Sequence, residues 1–546
     1  MKTARIPIRV LIAVSFALSA CAAPAPTTAP VPEESPPEAA PRPPSAPLER
    51  APVPILNPSL PPVPHVTGPL AIKVVYPPAD HLIQSRDSNF VFGSVGNGDA
   101  SLTINGVLTP VWPNGAFMAW LENPPPENPA YVIVARTETD SASITHPVKR
   151  AAPSATPATP AVSDTITPLS PPRFATLVGP AAYASDSERV VTGYALTGGI
   201  QRWFLLPNTV VKVTGTKGSD AYVRLDTTRT IRIAQSELKM LDSVAAPPPA
   251  TVASAFTTDR TDEWTDIVIP INARPAFLVE EGPGTVTLTL YNTEGPEKNQ
   301  MLIKPPDTTY LKSISSFSSG PQVQYILELA QPFFGYQPLW EEGKFTFRVR
   351  KPPVIDPAEP LKGLTITVDP GHPPIGATGP TGLWEPEATL PVGLKLRDLL
   401  QAKGVNVVIT RTTMDPVDLN LRATLARRAN AHAFVSIHLN AVPDGINPLR
   451  VQGTATYHYY LHSAPLAFAV QKASVPRLGL PDNGVKRENF AVVRGTWMPS
   501  ILVEGAFIIV PDQEAAMRTP EYQERYAQGI VDGLEAYFRS LAPSGN

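Results

Sequence analysis

The sequence predicts a multidomain protein: a C-terminal α/β domain with a twisted, mostly parallel sheet flanked by helices, preceded by small all-β domains. Three observations carry this reading. The last third alternates apolar strand-like runs with helical periodicity, whereas the stretches before it hold only short strand-like runs broken by turn residues. At 546 residues the chain is too long for a single core. Its 67 prolines are far above ordinary usage and predict extended linkers.

Charge and cysteine content narrow the classes of function. A net charge of -3 gives no electrostatic reason to expect nucleic acid as a partner. The single cysteine excludes an intramolecular disulfide and a Cys-based zinc site.

Residues 1–20 carry Lys2, Arg5 and Arg9, then the apolar run Val10 to Leu18, a charged region followed by a hydrophobic one too short for a comfortable membrane span. Leu18-Ser-Ala-Cys21 resembles the bacterial lipobox. That resemblance implies a lipoprotein signal peptide over 1–20, lipidation of Cys21 and a membrane anchor. Ala22 favours sorting to the periplasmic face of the outer membrane in a Gram-negative host. Residues 21–68 form a tether rich in Ala, Pro, Glu, Ser and Thr, which buries too little apolar surface to offset its chain entropy. Fully extended as polyproline II, such a tether reaches roughly 140 Å.

From 69 to 150, short runs such as Ala71-Ile-Lys-Val-Val75, Asn89-Phe-Val-Phe92 and Ala130-Tyr-Val-Ile-Val-Ala135 alternate with turns, and Asn105-Gly106 is a strong hairpin signal. A small sandwich of immunoglobulin type is expected. Residues 151–171 read as a second linker. The unit 172–243, with Gln201 to Leu206, Thr209 to Gly215 and Asp220 to Leu225, resembles a bacterial SH3-like barrel. Trp203 and Tyr222 there serve either as a stacking face for wall peptides or as core. After a linker at 244–254, residues 255–352 form a β-rich accessory domain, either a targeting module or a spacer. Alternation in Gln322 to Leu329 and in Lys344 to Arg350 predicts half-buried strands with one wet face. A linker at 353–362 leads to the last domain.

Within 363–541, three apolar runs each end at a side chain able to bind metal or move a proton: Thr365 to His372, Ala433 to His438 and Ser500 to Glu504. Open α/β sheets place functional groups at the carboxyl ends of such strands, so three tips can converge on one crevice. Strands are expected at 364–368, 405–410, 434–437 and 501–503. Helices are expected at 389–403, restricted at its start by Pro391, then after an Asp418 cap with Leu421, Leu425 and Ala429, at 464–475 and over most of 513–538.

Val-Asp-Pro-Gly-His (368–372), Gly-Leu-Trp-Glu (382–385), Thr410-Arg411, Ser-Ile-His-Leu-Asn-Ala (436–441), Asn-Gly-Val-Lys-Arg (483–487) and Met498 to Phe507 together resemble the catalytic domain of zinc-dependent N-acetylmuramoyl-L-alanine amidases, family 3. The resemblance covers the last third of the chain. It implies a zinc ion held by His372, Glu385 and His438, with Glu504 as general base and then acid, acting on peptidoglycan. Zinc with three N/O ligands and an open position activates water and polarises the carbonyl. Family spacing, which puts the ligand five residues before a helix leucine (here Leu390), favours Glu385 over Glu387. Asp369 supports the turn. Arg411, Arg422, Asn440 and Arg494 are substrate-binding candidates, the arginines fitting either substrate carboxylates or buried ion pairs. His432, His458 and His462 match no ligand motif and read as surface residues.

The chain departs from the family's usual Gly-Gly after the first histidine by having Pro373-Pro374, which stiffens that loop. The compact interval from Ala441 to Glu504 predicts an open site. The alternative reading is an inactive wall-binding lipoprotein scaffold that keeps the fold. A zinc peptidase lacks support because no His-Glu-x-x-His helix is present.

Overall fold

The computed structural model describes residues 49–52, 57–150, 166–179, 190–242, 247–295, 301–303 and 309–542. The signal segment, Cys21 and most of the expected tether lie outside the described residues.

The C-terminal sheet has six strands: β1 (Thr365–Pro370), β2 (Asn406–Ile409), β3 (Ala433–Asn440), β4 (Thr454–His458), β5 (Asp482–Arg487) and β6 (Ser500–Phe507), in the order β2-β1-β3-β6-β4-β5. All neighbours are parallel except β6 and β4. Five helices accompany it: α1 (Glu385–Ala402), α2 (Leu419–Arg428), α3 (Ala464–Leu478), α4 (Pro511–Met517) and α5 (Pro520–Ser540). Apolar side chains of α1, α3 and α5, among them Leu396, Val470 and Ile530, share one core with Val435 and Ile437 of β3. On the opposite face Ala426 of α2 meets Phe434 and Leu502 in a smaller core. Burial on both faces explains why β1, β3 and β6 read as continuous apolar runs.

Several expectations need correction here. Strands β4 and β5 were not foreseen, because Thr-Ala-Thr-Tyr-His and Asp-Asn-Gly-Val-Lys-Arg carry too few apolar residues to stand out. Helix α1 begins at Glu385, earlier than the proline suggested, and holds Pro391 inside it. Its start is fixed by Glu387, whose Oε2 accepts from Trp384 N at 3.2 Å. Asp418 does cap α2, accepting from Asn420 N and Leu421 N. The buried face of α2, however, is Arg422, Thr424 and Ala426 rather than the leucine stripe.

Residues 73–150 form two antiparallel sheets. One holds Lys73–Tyr76, Ser88–Ser94 and Ala116–Glu122, and the other holds Ser101–Ile104, Val107–Thr109, Ala130–Arg136 and Ser141–Pro147. Asn105 and Gly106 both have positive φ, 49° and 79°, as a type I′ hairpin requires. The first sheet is covered on both sides. Val91, Phe117 and Leu121 pack into the unit's own core, while Phe90, Phe92, Met118 and nearby Trp112 belong to the α/β core together with Leu383.

Thr167–Leu177 is a strand of a seven-stranded sheet, so regular structure begins inside the segment read as a linker at 151–171. Trp203 is 1% exposed and belongs to that unit's core; Tyr222 is half-buried. Residues 256–350 make a four-stranded and a five-stranded sheet. Gln322–Leu329 alternates as expected. In Lys344–Arg350 Phe345, Phe347 and Val349 make a fully buried face, while the opposite face is wetter only at Lys344 and Arg348 and ends at Arg350, which is fully enclosed. The described end of the expected tether is likewise docked: Leu60 lies in the α/β core, Asn57 Nδ2 donates to Gly479 O, and Arg525 donates to Ser59 O.

Candidate metal centre

Parallel pairing brings the expected residues together. Asp369 of β1 stands opposite Ser436 of β3, and His438 of β3 stands opposite Glu504 of β6. His372 leaves β1 in a left-handed conformation, φ 59°, uncommon for a residue with a side chain. Glu385, the first residue of α1, lies between the two imidazoles. Its Oε2 is 3.2 Å from His372 Nε2, and its Oε1 is 3.0 Å from His438 Nδ1. One donor atom from each of the three falls within 4.8 Å of the others. Gly371 makes this approach possible, since a Cβ there would stand 2.4 Å from the His438 ring. Glu387 is spent on the helix cap instead.

Burial opposes a charge on Glu385, yet hydrogen bonds from His372 and His438 hold its carboxyl well below the usual range. Ala377 N and Leu439 N add two donors, at 3.1 Å each. Glu504 has the opposite environment. Burial first, and then the Glu385 carboxylate, push its carboxyl well above the ordinary value, and its Oε2 has no hydrogen-bond partner among the described residues. Two imidazoles and a buried carboxylate form an N/O set that fits a divalent cation, with an unpartnered carboxylate oxygen in the strand alongside.

Beneath the first histidine, Asp369 is fully buried and accepts from Thr410 Oγ1 (2.6 Å), Arg422 Nη1 (2.7 Å) and Ser436 Oγ (2.6 Å). Arg411 and Arg422 are 4% and 2% exposed. Arg411 donates to the carbonyls of Pro370, Gly371 and Pro386, and Arg422 to those of Pro370, His372 and Pro373. Their donors are spent on the backbone of the His372 turn, so neither reaches a substrate; they fasten that turn. Arg494 is also removed from the triad. It bonds to Asn489 and stacks over Phe204 of the seven-stranded sheet. Asn440 does lie at the site, two residues beyond His438, half-buried. Near it stands Tyr457, whose hydroxyl is pushed up by burial and by Glu504.

Three supports escaped the sequence reading. Tyr457 was one. Glu514 of α4 is buried and accepts from Thr381 N and Leu383 N, anchoring the loop before Glu385. Tyr526 of α5 donates to His438 O and Val503 O, bridging β3 and β6 beside Glu504. A Glu in the first turn of a short helix and a Tyr on an amphipathic one give no sign of such distant partners. The three histidines read as surface residues are enclosed: His458 and His462 are each 6% exposed, and the His432 side chain is 12% exposed. Residues 256–350 reach two of them: Glu263 lies 3.8 Å from His432 Nε2, and Glu281 accepts from His462. The helix between Ala441 and Glu504, α3, packs with α5 on the flank of the sheet.

Residues 366–536 match the family model described as N-acetylmuramoyl-L-alanine amidase. The germination-specific N-acetylmuramoyl-L-alanine amidase of Bacillus subtilis is 30% identical over 198 residues, 33% of this chain and 81% of that protein. The chain belongs to the N-acetylmuramoyl-L-alanine amidases. LytC of the same organism, an amidase of the same description, is 36% identical over 186 residues. That match spans 33% of this chain and 36% of LytC, so only about a third of each protein is shared. Among solved structures, amidase AmiC2 of Nostoc punctiforme is 34% identical, covering 32% of this chain and 98% of that one, with a TM-score of 0.31. The amidase domain thus accounts for the α/β part, and the β-rich part of the chain lies outside these matches.

Proposed function

We propose that this protein is a cell-wall hydrolase cutting the amide between N-acetylmuramic acid and L-alanine in peptidoglycan, with zinc held by His372, Glu385 and His438. The observation that carries the reading is the convergence of those three side chains beside Glu504. When bound, zinc supplies a Lewis acid for the amide carbonyl and makes water a stronger acid. Glu504 takes the proton from the attacking water and passes it to the amine as the C–N bond breaks. A carboxyl raised by burial suits that exchange, and a cation among the ligands would bring it back toward neutrality. Asp369, Arg411 and Arg422 keep the His372 turn in place, and Tyr526 keeps the β3 and β6 tips in register.

Cys21 is the lipid attachment point in this reading, and the chain acts from the cell envelope, at the periplasmic face of the outer membrane in a Gram-negative host. The two-sheet unit at 69–150 is of immunoglobulin type, and the seven-stranded unit is SH3-like. Their part is to place the amidase domain on the wall.

The test is release of stem peptides from purified sacculi by the full chain. Zinc-dependent release should fall by about 10²–10⁴ in Glu504→Ala with the metal still bound. A metal-loaded wild-type protein that releases nothing would establish the scaffold reading instead.

A further inference from the structure

The family arginines at the centre are consumed by backbone carbonyls and, for Arg422, by Asp369, which leaves Glu385 and Glu504 without a free cation from those positions. A stem peptide carries carboxylates just beyond the bond to be cut. A cation that does reach the loop joining His372 to Glu385, with no ion pair among the described residues, comes from another part of the chain. Lys73 lies on the strand Lys73–Tyr76 of the first β unit, on the same side as Val75, which packs against the α/β core; Val74 faces the unit's own core. Its Nζ overhangs the Gly382 turn, where a Cβ would meet it at 3.7 Å, three residues before Glu385. Lys73 is exposed, and among the described residues no carboxylate lies within ion-pair distance. Arg518 reaches the same turn but is engaged by Glu514 and Thr381, and Lys486 is held by Asn483 and the Tyr457 ring.

The strand is not free to drift away. Asp444, in the loop that follows His438 and Asn440, accepts from Tyr76 Oη, from Asn89 Nδ2 at 2.8 Å and from Gln84 N at 2.8 Å, with His81 Nε2 at 3.2 Å. The Asp444 side chain is 7% exposed. Asn89 Oδ1 returns the contact by accepting from Gly445 N. The first β unit is thereby clamped to the loop after one ligand while it overhangs the loop before another.

We infer that the first β unit is a wall of the substrate cleft and that Lys73 is a specificity residue, recognising a carboxylate of an acidic stem peptide next to the scissile amide. This rests on the amidase reading and adds to it a contact from outside the amidase domain. The experiment uses the full chain, zinc-loaded, with N-acetylmuramoyl-L-Ala-D-Glu and its α-amide as paired substrates. In Lys73→Met the KM for the acid should rise about fourfold with kcat unchanged, the KM for the amide should hold, and Lys73→Arg should restore the acid. Wild-type preference for the acid should shrink as salt is raised. An unchanged KM, an equal rise on both substrates, or a wild-type enzyme indifferent to amidation would overturn the inference. A wild type that cuts neither substrate would instead overturn the amidase reading.

Discussion

The first β unit, residues 73–150, and the third, residues 256–350, both adjoin the amidase domain, but they are joined to it by different physics. The first unit shares its core: Phe90, Phe92, Trp112 and Met118 pack in one continuous apolar cluster with Ile366, Val368 and Leu383. The third keeps most of its apolar residues in a separate cluster, lending Phe334 to the α/β core. It is attached largely through polar points. Arg350 donates to the carbonyls of Ala431, Asn430 and Trp497, and Glu281 accepts from His462. Apolar sharing scales with buried area and is indifferent to pH, whereas point contacts depend on geometry and charge state. The first unit is therefore expected to unfold with the amidase domain, and the third to separate from it under milder stress.

The largest expected effect comes from Phe92→Ala, which empties a shared core and should cost about 3–5 kcal/mol. Urea denaturation should show the amidase transition and that of the first unit shifting together. Two transitions moving independently would break the comparison. Arg350→Ala removes three buried donors from carbonyls and should cost about 3 kcal/mol. Proteolysis should then release the third unit while peptide release by the amidase domain persists.

Acid provides a milder test. His432 Nδ1 accepts from Thr365 N at 3.0 Å, and burial, with Arg350 adding, pushes this imidazole down to about 4 from its ordinary 6.5. The folded protein therefore holds it neutral, and the unfolded chain binds the extra proton between those values. Stability is whole above pH 6.5 and is lost as pH falls toward 4, by on the order of 3 kcal/mol. His432→Asn should flatten the pH dependence of the denaturation midpoint. The smallest change is Asp444→Asn, which keeps the shape of the clamp and removes its charge, for about 1 kcal/mol. It should loosen the first unit without separating it, read as faster amide exchange at Tyr76 and Asn89.

What the sequence disclosed and what it hid divide along the same physical line. Three apolar runs ending in His372, His438 and Glu504 were legible because a strand buried on both faces writes itself as a continuous run, and because each ends at a side chain able to bind metal or move a proton. The position of Glu385 was legible from spacing. The fates of Arg411, Arg422, His458 and His462 were not, since the same residue types suit a solvated rim, and only the fold decides that backbone carbonyls or a neighbouring unit enclose them. Strands β4 and β5 were hidden by their polar composition. Docking of the first unit was half visible, in that Asn89-Phe-Val-Phe92 has too many consecutive apolar residues for a sheet wet on one side.

Tyr526 has a consequence for the order in which the protein is made. The hydroxyl that ties the carbonyl of His438 to that of Val503 belongs to the last helix, Pro520–Ser540. A growing polypeptide that has not yet emerged past that helix leaves those two carbonyls unbridged. In the order of synthesis, the helix that fastens β3 to β6 therefore follows every residue of the candidate metal centre.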